Sequence, residues 1–227
     1  MVQGLTKEEV NRKLLHGVAV VLPVGIFYGP ALLGVSKEWV CLGVFGLLAA
    51  ALLIELLRFR NQAFLNRFMK WFGSMMRESE SRQLTGATYV LAGSGICSLI
   101  SLRGDSAAAA CFLGLTLFIL GDAAAALVGK AFGRMKIGGK TVEGALGCFL
   151  LCMALAWWVF PSLPDFLAKW GTPFTVLQML VIATSVSLLE LFPIRIGRVV
   201  LNDNLYVPAL VSPVSYTHLT LPTICSV

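Results

Sequence analysis

Six stretches of this chain are apolar for about the length that a lipid bilayer requires of a spanning helix. They lie at about residues 14–35, 39–57, 84–102, 106–129, 144–163 and 174–192. A further apolar stretch begins at Tyr206. A helix needs about 20 apolar residues to cross the hydrocarbon core, and the chain is 57% hydrophobic and only 13% charged. We therefore predict an all-α fold, a polytopic integral-membrane helical bundle of six spans with a truncated seventh.

The distribution of lysine and arginine predicts how the bundle is oriented. If the N-terminus is cytoplasmic and the spans alternate, 15 of the 18 basic residues lie in cytoplasmic segments, and only Lys37, Arg103 and Lys169 lie outside. Cytoplasmic loops of membrane proteins carry this excess of positive charge. The net charge of +6 therefore indicates topology, and we expect no nucleic-acid partner. We expect a protein of a prokaryotic plasma membrane, with the N-terminus and the functional loops in the cytoplasm.

The cysteines show no pattern of a metal site or a disulfide framework. Five of the six fall within the predicted spans and none forms a C-x-x-C pair. Buried cysteines without histidine partners are typical of small packing residues. The five are Cys41, Cys97, Cys111, Cys148 and Cys152.

The last part of the chain has a different character. The segment "VSYTHLTLPT" at 214–223 is similar to the translation of a transposon-end sequencing adaptor. We therefore expect residues 213–227 to be a non-native tail and exclude them from functional interpretation. Residues 1–212 are expected to form a single membrane-embedded domain, and His16 is then its only histidine.

The longest polar interval, 58–83, combines basic residues with apolar residues at near-helical spacing. This pattern predicts an amphipathic helix lying along the cytoplasmic interface. Such a helix either forms the floor or lid of an active site or serves only as an interface anchor, and the pattern alone favours the anchor.

Three acidic residues lie inside predicted spans, near the ends assigned to the cytoplasm. They are Glu55, Asp122 and Glu190. Ionisable residues are costly in a membrane and are therefore candidates for function. Their placement brings all three toward the leaflet that holds the basic loops.

Asp122 is followed by a loop, 130–143, that is rich in basic residues and glycine. The basic residues are Lys130, Arg134, Lys136 and Lys140, and the glycines are Gly133, Gly138 and Gly139. Glycines let a backbone approach an anion, and cationic side chains bind phosphates. Thr141 and Glu143 follow at the start of the next span, where a helix N-terminus favours phosphate. The alternative is a basic cytoplasmic loop with a helix cap.

Two smaller polar clusters accompany this loop. Arg12, Lys13 and His16 stand at the mouth of the first span, where His16 could act as a general base or contact a phosphate. The segment 202–204 reads Asn-Asp-Asn just before the last apolar stretch, and its oxygens suit Mg²⁺ or a hydroxyl group. A structural histidine and a simple turn at the start of a helix remain the alternatives.

These clusters, together with "ESRQLTGATY" at 80–89, resemble the family of CTP-dependent polyprenol, dolichol, phytol and diacylglycerol kinases. The matching segments are "RKLLH", "LTGATY", "GDAAAALVGKAFGRMKIGGKTVEG" and "NDNLYVP", in the order of the family. The resemblance implies transfer of the γ-phosphoryl group of CTP, with Mg²⁺ as cofactor, to a lipid alcohol in the membrane.

The resemblance also implies a site. The nucleotide and metal residues would be Asp122, Gly129, Gly133, Lys140, Thr141, Glu143 and Gly144, and the site would be completed by Arg12, Lys13, His16, Glu80, Asp203 and Asn204. We expect the basic loop, including Lys130, Arg134, Lys136 and Gly139, to bind the nucleotide phosphates. Mg²⁺ would be held by Asp122, Glu143 and Asp203. Either Asp203 or His16 would orient or deprotonate the hydroxyl, with Lys140 on the phosphates.

Two other functions are weighed against the kinase. A phosphatidate cytidylyltransferase (CDP-diacylglycerol synthase) shares the K-T-x-E-G core, but "IGGKT" stands here where that family carries a serine-proline-lysine run. The chain also departs from the kinase family, whose last motif often has two aspartates, because Asn202 precedes Asp203 here, and this weakens the assignment of a metal ligand there. A non-catalytic transporter or scaffold would leave the placement of the glycines and acids unexplained.

Overall fold

A computed structural model describes residues 12–13, 16–73, 76, 83–197 and 199–220, without the side chains at 196, 199 and 218–220. The helices within these ranges are α1 (Val21–Leu33), α2 (Lys37–Arg60), α3 (Gln62–Phe72), α4 (Gly86–Ser101), α5 (Asp105–Phe132), α6 (Val142–Ala154), α7 (Phe166–Trp170), α8 (Val176–Leu191) and α9 (Asp203–Thr220). A π-helical turn, Leu155–Val159, and a 3₁₀ turn, Phe160–Ser162, prolong α6. The strands within the same ranges are β1 (Lys136–Ile137), β2 (Lys140–Thr141), β3 (Arg195–Ile196) and β4 (Val199–Val200).

The helices confirm the predicted all-α membrane bundle. Within the described ranges, four segments are long and apolar enough to cross a membrane: His16–Leu33, Lys37–Arg60, Asp105–Phe132 and Val142–Ser162. Two shorter apolar helices, α4 and α8, cover the other two predicted spans. The seventh apolar stretch becomes α9, which begins at Asp203 and runs past position 213, so that Ser215 donates to the carbonyl of Val211 at 2.8 Å.

Helix α5 forms the centre of the bundle. Its residues from Ala107 to Ile119 are almost completely enclosed by the neighbouring helices, and burial continues to Asp122. The run Ala107–Ala110 is small, which lets neighbouring helices approach closely. By contrast, α2 exposes leucines such as Leu53 on its outer surface, as expected of a helix that faces lipid.

An aromatic cluster fills the end of the bundle where α5 begins and the α6 segment ends. Phe27 stacks on Phe112 with ring centroids 4.7 Å apart, and Phe160, Phe166 and Trp170 pack around them. The five cysteines in the described ranges are buried, as predicted, and are free thiols. One end of the bundle is therefore closed by packing, and the polar residues gather toward the other.

The predicted amphipathic helix is α3. Asn61 caps it by accepting from the backbone N–H groups of Ala63 and Phe64 at 3.0 and 3.1 Å. Phe64, Phe68 and Phe72 form a row along one face, and the centroids of successive rings are 6.4 and 5.0 Å apart. Spacing of four residues places them on one side of the helix, while Trp71 is mostly exposed.

Candidate active site

Three carboxylates from three helices meet near one end of the bundle. Asp122 comes from α5, Glu190 from the last turn of α8 and Asp203 from the first turn of α9. One oxygen from each lies within 4.8 Å of the others. Asp122 and Glu190 are only 8% and 4% exposed, so that this acidic cluster (Asp122, Glu190 and Asp203) is held largely away from water.

Two cationic or protonatable groups from the start of the first span face Asp122. Lys13 donates from Nζ to Asp122 Oδ2 at 2.6 Å, and His16 Nε2 lies 3.3 Å from the same oxygen. Lys13 and His16 lie three positions apart, which places them on one side of a helix. Lys13 and His16 are therefore joined to the centre of the bundle through Asp122.

Lys140 neutralises the other two members of the acidic cluster. Its Nζ donates to Asp203 Oδ2 at 2.7 Å and also forms an ion pair with Glu190. Burial lowers the pKa of Lys140, but the attraction of Glu190 and Asp203 outweighs burial and raises the pKa above its ordinary value. Lys140 is therefore protonated at neutral pH and fixes the separation of α8 and α9.

A tight hairpin presents Lys140 to the cluster, where the sequence had predicted a loop. Strands β1 and β2 pair antiparallel, with Ile137 opposite Lys140. Gly138 and Gly139 form the turn with φ of +56° and +93°. A two-residue turn of this type needs positive φ at both positions, which glycine adopts without steric cost. The hairpin fixes the position of Lys140 more firmly than a flexible loop would.

Gly129 on α5 and Gly144 on α6 allow these two helices to approach each other closely. Thr141 caps α6 by accepting from Gly144 N–H at 3.1 Å. A Cβ added to Gly144 would lie 2.6 Å from the carbonyl oxygen of Ala125 and 3.3 Å from Gly129 Cα. Helices α5 and α6 therefore touch backbone to backbone beside the acidic cluster, and this contact needs glycine.

The first cavity, of about 680 Å³, opens over the acidic cluster and the hairpin. Its size lies within the range of about 300–1,000 Å³ typical of small-molecule sites. Twelve of the residues predicted for the site line it: Arg12, Lys13, Asp122, Gly129, Lys130, Gly133, Lys136, Gly139, Lys140, Thr141, Gly144 and Asp203. Glu190 lines it as well. The cavity thus combines a basic wall with an acidic floor.

Four predicted residues in the described ranges do not line the first cavity: His16, Arg134, Glu143 and Asn204. Glu143 does not join Asp122, because its carboxylate oxygens accept from the backbone N–H of Met135 at 3.1 and 3.3 Å. This bond closes the loop that precedes β1. Arg134 is exposed and does not line the first cavity. Glu190 takes the place in the acidic cluster that was expected for Glu143.

Glu190 was flagged in the sequence as an acid within a span but was not assigned to the metal. The signal that could have placed it is its position at the end of a span, at the same level as Asp122 and Asp203. Glu55, the third such acid, lies elsewhere and pairs with Arg58. Glu80 lies outside the described residues.

The acidic cluster fits a divalent metal ion. Glu190 Oε2 is buried and has no hydrogen-bond partner within the described part of the chain, although a buried carboxylate oxygen ordinarily has one. Carboxylate oxygens are the ligands that Mg²⁺ prefers. Asp122, Glu190 and Asp203 are therefore the residues that would hold such an ion.

A second cavity, of about 410 Å³, adjoins the first. Both are lined by Arg12, Lys13, Asp122 and Asp203. The predicted residues His16 and Asn204 line the second cavity. The rest of its wall is largely apolar and consists of Ala19 just before α1, Leu22 on α1, Phe68 and Phe72 on α3, and Ala87, Val90 and Leu91 on α4. A charged cavity and an apolar cavity thus meet at two carboxylates.

Comparison with known proteins gives one similarity over most of the chain. The chain is 26% identical over 208 residues to dolichol kinase of Saccharomyces cerevisiae, and the aligned region covers 88% of this chain. The chain spans 35% of the length of that relative. No protein-family model and no solved structure matches the chain.

Proposed function

We propose that this chain is a lipid-alcohol kinase that transfers the γ-phosphoryl group of CTP to a hydroxyl group in the membrane. The observation that carries the proposal is the meeting of the two cavities at Asp122 and Asp203. A water-borne phosphate donor suits the basic first cavity, and a lipid suits the apolar second one. The similarity to dolichol kinase supports a membrane phosphotransferase, and the choice of CTP follows from the resemblance of the sequence motifs.

The basic residues of the first cavity would bind the triphosphate. Lys13 and Lys140 each contact a carboxylate of the acidic cluster. They therefore lie close to the position that phosphates would take if Mg²⁺ joined them to that cluster. Lys130 and Lys136 line the same cavity. Cationic groups at the transferring phosphoryl group stabilise the charge that spreads over its oxygens.

The acidic cluster would hold Mg²⁺. A bound Mg²⁺ neutralises charge on the phosphates and orients them for transfer. Asp122, Glu190 and Asp203 would supply its protein ligands, with Glu190 in the role that the sequence suggested for Glu143. Three carboxylates this close repel one another, and the ion pairs of Lys13 and Lys140 offset that repulsion.

The acceptor hydroxyl would approach from the second cavity. Asp203 lines both cavities, and His16 lines the second. Either group can accept a hydrogen bond from the hydroxyl and take its proton as transfer proceeds. Because phosphoryl transfer depends mainly on alignment and charge neutralisation, the larger contribution is expected from Asp203, which lies in the acidic cluster itself.

We place this end of the bundle at the cytoplasmic face. The proposal rests on the distribution of basic residues along the sequence, which favours retention of these segments in the cytoplasm. CTP would then reach the first cavity from the cytosol, and the lipid alcohol would come from the cytoplasmic leaflet.

A phosphatidate cytidylyltransferase is the second candidate. Arg12 and Lys13 line both cavities, and two cations at the mouth of an apolar cavity also fit the phosphate of phosphatidate. The two functions differ in the bond of CTP that is broken, since the kinase transfers the γ-phosphoryl group and the transferase the cytidylyl group.

Labelled CTP separates the two functions. Membranes that contain the protein are incubated with CTP labelled at the α- or the γ-phosphate, and with a polyprenol, phytol, diacylglycerol or phosphatidate. The kinase predicts γ-label in the lipid alcohol, dependent on Mg²⁺ and absent from the Lys140→Ala variant. Label from the α-phosphate in phosphatidate would establish the transferase instead. No transfer from either position by folded protein would refute both.

A further inference from the structure

We propose that the second cavity binds only the hydroxyl-bearing end of the lipid acceptor, with α3 as one wall, while the rest of the lipid chain lies in the bilayer. The proposal rests on the kinase function above and identifies the residues that select the acceptor. It assigns to α3 a role in substrate binding, in addition to the interface anchor that its sequence pattern favoured.

The second cavity is polar at one end and apolar over the remainder. Its polar end consists of Arg12, Lys13, His16, Asp122, Asp203 and Asn204. Its apolar part lies between Leu22 on α1, Phe68 on α3 and Leu91 on α4. A molecule with one hydroxyl and an attached hydrocarbon matches this division, because the hydroxyl can hydrogen-bond at the carboxylates while the hydrocarbon contacts apolar side chains.

The volume of the cavity limits how much of the lipid it can enclose. About 410 Å³ lies toward the lower part of the range for small-molecule sites, about 300–1,000 Å³. A lipid that reaches the middle of a bilayer about 30 Å thick extends well beyond such a space. The cavity can therefore recognise the segment next to the hydroxyl, and total chain length should have little effect on binding.

Helix α3 contributes aromatic side chains to this cavity. Phe68 and Phe72 line it, with Phe72 still 47% exposed, and the neighbouring Trp71 is 76% exposed. Phe68 and Phe72 thus contact the cavity, while the exposed Trp71 can reach the membrane interface, where tryptophan is enriched. The same helix can anchor at the interface and close the cavity.

A buried ion pair fixes α3 and α4 relative to each other. Arg58 is fully buried, pairs with Glu55 and donates to the carbonyl oxygen of Gln83 at 2.6 Å. Its guanidinium carbon lies 5.6 Å from the centroid of the Phe68 ring. This geometry is that of a cation–π contact. Arg58 therefore contacts α3 directly.

Glu55 extends the same network to the start of α4. Its Oε1 accepts from the backbone N–H of Thr85 at 2.8 Å, from Thr85 Oγ1 at 2.7 Å and from Thr88 Oγ1 at 3.1 Å. Thr85 and Phe68 both line the second cavity. Glu55 and Arg58 are therefore positioning residues for two walls of the cavity. Glu55, the third acid within a predicted span, thus has a role in this proposal.

Substitution of Ala87 tests the cavity. Ala87 lines the second cavity at its α4 wall, and Ala87→Leu adds three carbons there. We expect the amount of lipid alcohol needed for half-maximal rate to rise about tenfold or more, as steric mismatch in an apolar site does, with the KM for CTP unchanged. Ala50→Leu, on the exposed surface of α2, is the matched control and should change neither value. An unchanged lipid requirement in Ala87→Leu would overturn the proposal.

Photo-crosslinking tests the binding geometry without turnover. A polyprenol carries a diazirine either beside its hydroxyl or at the far end of its chain. The hydroxyl-end probe should label residues 62–73 and 84–91, and the far-end probe should not. Labelling of these segments by both probes, or by neither, would overturn the proposal. Because crosslinking needs no phosphoryl transfer, failure of the kinase assay and failure of this binding assignment give different results.

Discussion

Lys140 donates to Asp203 across a distance of 2.7 Å and joins the hairpin after α5 to the first turn of α9. The two residues lie 63 positions apart, yet this contact, together with the ion pair to Glu190, assembles the acidic cluster and its basic wall. Lys140 therefore contacts two of the three members of the acidic cluster, whereas Lys13 contacts the third, Asp122.

Replacement of Lys140 by alanine should abolish most of the activity without unfolding the bundle. The change leaves Glu190 and Asp203 without their cation and removes a contact to the phosphates, so we expect turnover to fall by about 10²–10³-fold, as when one transition-state donor is lost. Turnover of the γ-label measures the loss, and size-exclusion behaviour in detergent checks folding. Near-normal turnover would contradict the proposed role.

The pH dependence of the same ion pairs follows from the direction of the pKa shift. The folded pKa of Lys140 is raised, so the stabilisation is fully present below the ordinary lysine pKa of about 10.4 and is lost only as pH rises through the higher folded value. We expect Lys140 to stay charged between about pH 7 and pH 9. The pH dependence of CTP binding in this range should therefore be the same in the protein and in Lys140→Arg, which also keeps its charge. A binding loss in that range that disappears in Lys140→Arg would contradict the assignment.

Gly144 should tolerate no side chain. The Cβ of Gly144→Ala would lie 2.6 Å from a backbone oxygen of α5, and overpacking of this kind costs about 1–3 kcal/mol in the free energy of unfolding. Denaturation in mixed detergent micelles measures this loss, and CTP binding should weaken along with it. Gly46→Ala is the control, because no atom lies within 4 Å of the added Cβ. Equal stability of the two variants would refute the close contact.

The relative importance of Asp203 and His16 can be decided by kinetics. Asp203→Asn should lower turnover by about 10²–10³-fold, because it removes a charge from the acidic cluster. We expect His16→Asn to lower it less, since His16 contacts Asp122 at 3.3 Å and lines only the second cavity. A larger loss for His16→Asn, with a changed pH profile of kcat, would make His16 the general base.

The buried ion pair should affect the lipid acceptor selectively. Arg58→Lys keeps a charge beside Glu55 but cannot reproduce the guanidinium contacts to Gln83 and Phe68. We expect a higher lipid requirement and an unchanged KM for CTP. Arg58→Ala should additionally destabilise the protein, because an unpaired buried carboxylate costs about 3–5 kcal/mol. Equal changes in both KM values for Arg58→Lys would indicate a general structural role.

The positions of the spans could be predicted from the sequence because the length of an apolar run has a direct physical meaning in a bilayer. The site was predictable in part. Asp122 and Lys140 were recognisable because a charge in an apolar run and a basic glycine loop each have few structural explanations. The exchange of Glu143 for Glu190 was not predictable, since it depends on Met135 N–H binding Glu143 and on the proximity of α8 to α5. The role of α3 required knowledge of which side of the helix faces α4.

The dependence of turnover on Mg²⁺ in two matched variants tests the acidic cluster most directly. Glu190→Gln and Glu143→Gln remove one charge each, but only Glu190 lies with Asp122 and Asp203. We predict that Glu190→Gln raises the Mg²⁺ concentration for half-maximal γ-label transfer by about 10–100-fold, the range that perturbed metal sites show, while Glu143→Gln leaves it unchanged. A large shift for Glu143→Gln and none for Glu190→Gln would contradict the site described by the structure.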